Sequence, residues 1–173
     1  MTDRMTPEQR HRCMSHVRSK GTRPEMLVRR WLWHQGYRYR LHDRRLPGTP
    51  DIVLRRLRTV VLVNGCFWHG HDECKAGQRR PDTRREWWEA KIERNRYRDR
   101  RNRELLEWMG WMVITVWECE LTPSRRDATL QALTAQLSRR VLDTYAPSEP
   151  AVKRSPYAPL DNPLPVAAEP TEL

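Results

Sequence analysis

The chain lacks long apolar runs. No stretch approaches the roughly 20 apolar residues of a membrane-spanning helix, and the N-terminal MTDRMTPEQRHRCM carries no apolar segment of the kind a secretory signal needs. A cytoplasmic chain with no membrane partner is therefore expected. Cysteine is also scarce, with four in 173 residues. In a reducing cytosol Cys13, Cys66, Cys74 and Cys119 are expected to remain thiols, which favours metal binding or catalysis over a disulfide framework. No internal repeat is visible. The length suits one domain with a core large enough to need no covalent staples.

Positive charge is abundant. Lys and Arg outnumber Asp and Glu by 33 to 22, for a formal net charge of +11. The expected partner is a polyanion, although a generally basic proteome would give the same balance. From Thr144 onward the chain carries seven of its thirteen prolines and a slightly acidic balance. Residues 144–173 read as a disordered tail, and removing them leaves a domain, residues 1–143, of net charge about +13. Within that domain Pro24 looks like the first position of a helix running through Glu25, Val28 and Leu32 and ended by Gly36. Tyr37 to Leu41 alternates enough for a strand, LPGTPD is a turn, and Asp51 starts the next strand. TVVLV at 59–63 has the continuous apolar character of a strand buried on both faces. Thr83 and Glu86 have the spacing of a capping box for a long helix from about Arg84 to Met109, closed by Gly110. A strand over 111–117 and a helix over 130–142 complete an α-β-β-β-α-β-α order, hence an α/β fold with a mixed central sheet flanked by helices.

Three groups of residues carry chemistry. The first is NGCFWHGHDEC, residues 64–74, which sets Phe67 and Trp68 among groups that resemble metal ligands. Cys66, His71 and Cys74 offer three soft or borderline ligands in one loop, and Cys119 follows the last strand. Cys₃His is an ordinary composition for a closed structural zinc site, although unrelated thiols would look the same. Such a site would leave His69 spare. It would also clamp Phe67 and Trp68, either as core filler or as a wedge that unstacks base pairs. The second group is Asp51 with Glu25, hard oxygen ligands suited to Mg²⁺ at a phosphate; a Pro-Asp is otherwise simply a turn. The third is the long helix. There Trp88, Lys91, Asn95 and Asp99 fall on one face, suited to stacking on and reading bases or to a solvated helix with Trp88 tucked inward. Cys13 has no assignment.

With these residues assembled, the chain resembles the very short patch repair (Vsr) endonucleases, a family that nicks DNA at T:G mismatches. The resemblance runs from about Met14 to Leu121 and rests on LPGTPDIV, GCFWHGH, WWEAKIERN, the aspartate of YRDRR, and GWMVITVWECEL. It implies a core like that of type II restriction enzymes without their usual lysine. It places Asp51, the backbone carbonyl of Val63 and, through water, Glu25 at a catalytic Mg²⁺. His69 matches the residue that activates water and Asp99 its supporting carboxylate. Cys66, His71, Cys74 and Cys119 match the ligands of a structural Zn²⁺. Phe67, Trp68 and Trp88 match intercalating aromatics, and Met14, Lys91 and Asn95 match mismatch contacts. The implied substrate is double-stranded DNA in which a 5-methylcytosine has deaminated. That implies a functional link to a cytosine-5 DNA methyltransferase and general mismatch-repair proteins, a monomer, and a nucleoid-associated cytoplasmic location. The chain departs from the pattern in two places. Asn64 stands where well-known members carry a second catalytic histidine, and one extra residue separates His71 from Cys74.

Overall fold

The computed structural model describes residues 6–16 and 20–146. Helix α1 (Pro7–Ser15) is not among the expected elements, yet its signal is present: Thr6 and Gln9 exchange side-chain-to-backbone bonds at 3.3 and 2.9 Å, with Pro7 as the first helical residue. Helix α2 (Arg23–His34) starts at Thr22, whose hydroxyl accepts the Glu25 N–H, and Gly36 follows it in the left-handed conformation. Strand β1 is reduced to Arg40–Leu41. The expected strand from Tyr37 is shortened because the Tyr37 N–H bonds back to the Leu32 carbonyl and the Tyr39 hydroxyl donates to the Arg29 carbonyl, tying both residues to α2. Strands β2 (Ile52–Leu54) and β3 (Thr59–Asn64) follow, joined by a short 3₁₀ turn over Arg55–Leu57.

The crossover to the last strand holds two one-turn helices, α3 (Cys66–His69) and α4 (Lys75–Gln78), and the long α5 (Arg85–Trp108). The expected capping box does not form. Arg84, not Thr83, occupies the N-cap in a left-handed conformation with no side-chain cap bond, so Glu86 falls one position short of where its carboxylate would reach back. Strand β4 (Met112–Trp117) leads through a 3₁₀ turn (Glu118–Leu121) into α6 (Arg126–Tyr145). That last helix passes the 143/144 boundary by two residues, and 147–173, the rest of the expected tail, lie outside the described residues.

The sheet order is β1-β2-β3-β4, antiparallel between the first three strands and parallel between β3 and β4. This is the expected mixed sheet. Helices cover both faces: Val28 and Leu32 of α2 pack with Leu130, Leu133 and Leu137 of α6 against Ile52, Leu54, Val61 and Ile114. On the opposite face Leu106 of α5 meets Val53 and Val60. Strands buried on both sides need the unbroken apolar character seen at 59–63. If α6 is held by this face, Leu137→Ala should cost about 2–5 kcal/mol in urea unfolding. Leu142→Ala, at a position 71% exposed, should stay within about 0.5 kcal/mol. Equal effects would show that α6 is not docked as described.

Candidate active site and metal centre

Sheet topology brings the chemistry to one edge. Because β2 and β3 are antiparallel, the start of β2 and the end of β3 lie together, and the Val63 N–H donates to Asp51 Oδ2 at 2.8 Å. The Val63 carbonyl belongs to the same strand end. Glu25 reaches this edge from α2 and is 2% exposed. Its carboxylate accepts the Gly21 N–H at 2.6 Å and lies 3.5 Å from Arg29 Nη1. Between the two acids stands His42, with Nε2 3.2 Å from Glu25 Oε1 and Nδ1 3.9 Å from Asp51 Oδ1. The sequence reading missed His42. Its signal lies in strand pairing: Leu41 faces Ile52, so the next residue back along β2, Asp51, faces His42. Burial pushes the Asp51 carboxyl above its ordinary value; the Val63 N–H bond opposes this and the nearby Glu25 charge adds to it. Two oxygen-ligand side chains drawn together, one of them disfavoured as an anion, fit a hydrated divalent cation such as Mg²⁺.

His69 closes α3, and its Nδ1 lies 2.6 Å from Asp99 Oδ2 on α5. An ionised carboxylate only accepts, so Nδ1 is the donor in this contact, and Nε2 is the nitrogen left to act as a base whenever the ring is neutral. Asn64 ends β3 opposite Trp117. An amide there can donate a hydrogen bond but cannot transfer a proton as an imidazolium would.

Parallel pairing continues past the strands. Asn64 is in register with Trp117, so Cys66 and Cys119, two residues beyond each, arrive side by side. His71 Nδ1 lies 3.7 Å from Cys66 Sγ and 3.4 Å from Cys119 Sγ, and the ligand atoms of Cys66, His71, Cys74 and Cys119 all lie within 4.8 Å of one another. Tetrahedral zinc with bonds of about 2.0–2.3 Å would set them roughly 3.5–3.8 Å apart. The group fits such an ion with little contraction. The Trp117 ring stacks on His71 at 4.1 Å, fixing its plane. Cys74 caps α4, and its Sγ accepts the Gly77 N–H. Gly77 must be glycine, because a Cβ there would sit 2.1 Å from the His71 carbonyl oxygen. Burial pushes the Cys66 thiol up to about 12. At Cys74 burial is outweighed by the Gly77 N–H and by the neighbouring thiols, so that thiol ionises more readily than usual.

The single turn of α3 resolves the mixed character of residues 64–74. Successive helix positions point about 100° apart. Cys66 faces the thiol group and His69 faces Asp99, while Phe67 and Trp68 meet Trp88 at ring-centroid distances of 5.3 and 5.9 Å. All three rings are half-buried. The Asn95 side-chain amide donates to the Trp68 carbonyl at 2.9 Å, locking that turn onto α5. The Lys91 ammonium stands 5.5 Å from the Trp88 ring centre and 5.6 Å from that of Trp68. The expected common face of Trp88, Lys91, Asn95 and Asp99 is thus present and turned toward α3. Met14 lies exposed on α1, separated from these residues in the chain by 17–19, which are outside the described residues. The side chain of Cys13 is likewise outside them.

Residues 2–75 match the family model described as DNA mismatch endonuclease Vsr. The chain is 52% identical over 143 residues to a type II nicking enzyme, V.XorIIP, of Xanthomonas oryzae pv. oryzae, covering 83% of this chain and 98% of that protein. It is 48% identical over 121 residues to the nicking enzyme V.NmeAIP of Neisseria meningitidis, covering 70% and 85%. It is 40% identical over 128 residues to DNA mismatch endonuclease Vsr of Escherichia coli, covering 74% and 80%. The chain belongs to the Vsr family. It is therefore a DNA endonuclease, a hydrolase of phosphodiester bonds. Among the described residues no helix is long and apolar enough to cross a membrane.

Two outcomes are expected of this Vsr protein. Metal analysis should find about one tightly held ion per chain. Cys119→Ala should lose it together with on the order of 3 kcal/mol of stability, or roughly 6–12 °C in Tm for a domain of this size; metal-free wild type of unchanged stability would sink the assignment. The second outcome concerns Asp51. A carboxyl raised above its ordinary 3.8 holds its proton more tightly folded than unfolded. Its contribution to stability is then full below that value and is lost as pH rises through the raised one. Asparagine does not titrate, so in EDTA Asp51→Asn should melt above wild type at pH 7 and lose that advantage toward pH 4. A variant that melts lower at pH 7 would show that the Val63 bond outweighs burial.

Proposed function

We propose that the chain nicks one DNA strand on the 5′ side of the thymine of a T:G mismatch, as very short patch repair requires. The observation that carries the reading is the convergence on α3 of a histidine–carboxylate pair and an aromatic cluster, beside two acids at the ends of β2 and α2. Asp51, the Val63 carbonyl and, through water, Glu25 would hold Mg²⁺. When bound, that ion offsets the charge developing on the scissile phosphate. His69 Nε2 takes one proton from the attacking water while Asp99 keeps Nδ1–H in place and stabilises the imidazolium. A new P–O bond forms from that water and the P–O3′ bond breaks. Asn64 can only donate a hydrogen bond to the leaving oxygen, whose proton then comes from solvent.

Phe67, Trp68 and Trp88 act as the wedge, with Met14, Lys91 and Asn95 reading the mismatched pair. Half-buried rings braced by Trp88 fit that role, because unstacking a mismatched step is cheaper than unstacking a matched one. The Cys66, His71, Cys74 and Cys119 ion is structural Zn²⁺, and the sheet with its flanking helices is a core of the type II restriction-enzyme kind. The reading includes a monomer acting at the nucleoid, and mismatches produced beside a cytosine-5 methyltransferase. An alternative is favoured by one observation only, Asn64: a zinc-stapled DNA-binding module with impaired catalysis. A same-fold endonuclease for undamaged or differently modified DNA is distinguished by the same test.

The test is strand cleavage on matched and T:G duplexes with Mg²⁺ or EDTA. Wild type should nick only the mismatched duplex, only with Mg²⁺. Asp51→Ala should lose on the order of 10³-fold in nicking, equivalent to several kcal/mol of charge stabilisation, while DNA affinity, set by the basic surface, stays nearly unchanged. Turnover within a few fold of wild type, or equal cleavage of matched DNA, would refute the assignment.

A further inference from the structure

The aromatic cluster has a fourth member to which the proposed mechanism gives no role. Trp87 is 43% exposed and meets Trp88 edge-on at 4.9 Å and 85°. The Lys91 ammonium lies nearer to its ring than to any other, 4.8 Å from the centroid against 5.5 Å for Trp88 and 5.6 Å for Trp68. Residues 87 and 91 are four apart on α5, so the indole and the cation share one helix face. The neighbours of Lys91 three and four residues away are Trp87, Trp88, Arg94 and Asn95, none of them an acid. An ammonium on a flexible four-carbon stem is thus flanked by three ring faces, whose quadrupoles attract it.

The residue type is informative as well. Of the 33 basic residues only four are lysine, and Lys91 is the one lysine among the nine basic residues of 84–103. Arginine would lay a planar fork flat on one ring. A compact ammonium can instead be shared among several rings and then reach past them.

We propose that Trp87 is a positioning residue for mismatch discrimination. Its exposed ring holds the Lys91 ammonium at the open side of the wedge, so that the cation enters the complex already aimed at the unstacked pair. The inference rests on the reading of Lys91 as a mismatch contact. Trp87 contributes orientation rather than affinity for the backbone, because it carries no charge to neutralise phosphates.

The first measurement needs no DNA. With the lysines ¹³C-dimethylated, the Lys91 methyl signal of the free protein should be shifted upfield by ring currents. In Trp87→Leu it should move back toward the ordinary lysine position. The second is a double-mutant cycle on binding to T:G against matched duplex. Trp87→Ala should cut the preference roughly three- to tenfold with Tm nearly unchanged, and Trp87→Phe should retain most of it. In a Lys91→Met background Trp87→Ala should have no further effect. A Lys91 signal indifferent to Trp87, full preference in Trp87→Ala, or an equal loss in the Lys91→Met background would each overturn the proposal; the last would assign Trp87 to direct stacking on DNA. Wild type without T:G preference would overturn the mismatch reading as well, and that outcome shows itself before any variant is made.

Discussion

The parallel pairing of β3 with β4 is the constraint on which the site depends. With Asn64 opposite Trp117, the two strands end level, and the segments leaving those ends meet whatever their distance in sequence. Cys66 and Cys119 meet for this reason alone. The antiparallel β2 adds Asp51 at the same edge, through the Val63 N–H. A parallel pair cannot be joined by a tight turn and needs a long crossover. Here that crossover contains α3, α4 and α5, so the connection required by topology also carries His69, Asp99 and the aromatic rings.

Charge works against its own surroundings at this edge. In a chain of net charge +11, Glu25 and Asp51 are drawn into one half-enclosed place, where burial and the Glu25 charge both disfavour the Asp51 anion. Arg29, His42 and the Gly21 N–H all contact Glu25 and offset part of this tension. Asp99 is placed differently, half-buried with one imidazole as its partner. Asp43 shows the third outcome: hydrogen bonds from Arg45, with Arg55 close by, hold its carboxyl well below the usual range, and it braces the loop between β1 and β2.

One turn of helix separates three groups of side chains. α3 sends Cys66, His69 and the two rings in different directions, and it ends at Gly70 in a left-handed conformation where a Cβ would come within 2.8 Å of Ile92. That close approach seats α3 on α5. A bulkier residue at position 70 would push the turn away from α5, disturbing the His69–Asp99 contact and the Asn95 bond to Trp68 together. The Cys₃His group and the aromatic cluster are therefore mechanically linked, although they share no side chain.

Much of this was legible in the sequence. The buried strand at 59–63 announces itself by its continuous apolar run, and the strand expected over 111–117 is present as Met112–Trp117. Gly36 and Gly110 end their helices, and the string from Cys66 to Cys74, with WEC downstream, points to the family. Local pattern failed where a neighbour outcompeted it. Tyr37 is claimed by α2 instead of the sheet, and the start of α5 slips one residue so that Arg84 displaces Thr83 as the cap. The Thr6–Gln9 box opening α1 is equally legible in the sequence. His42 was not readable. A lone histidine in a loop acquires meaning only once strand register sets it against Asp51 and a helix brings Glu25 alongside. The same holds for Trp87 and Lys91: spacing puts them on one helix face, but only the packing of α3 onto α5 surrounds the cation with three rings. Sequence by itself determined the buried strands and the motifs that point to the family, because those follow from local periodicity and residue spacing. Tertiary structure decided which groups act on one another, because carboxylate, imidazole and ring contacts depend on a few ångströms between segments that the chain holds far apart.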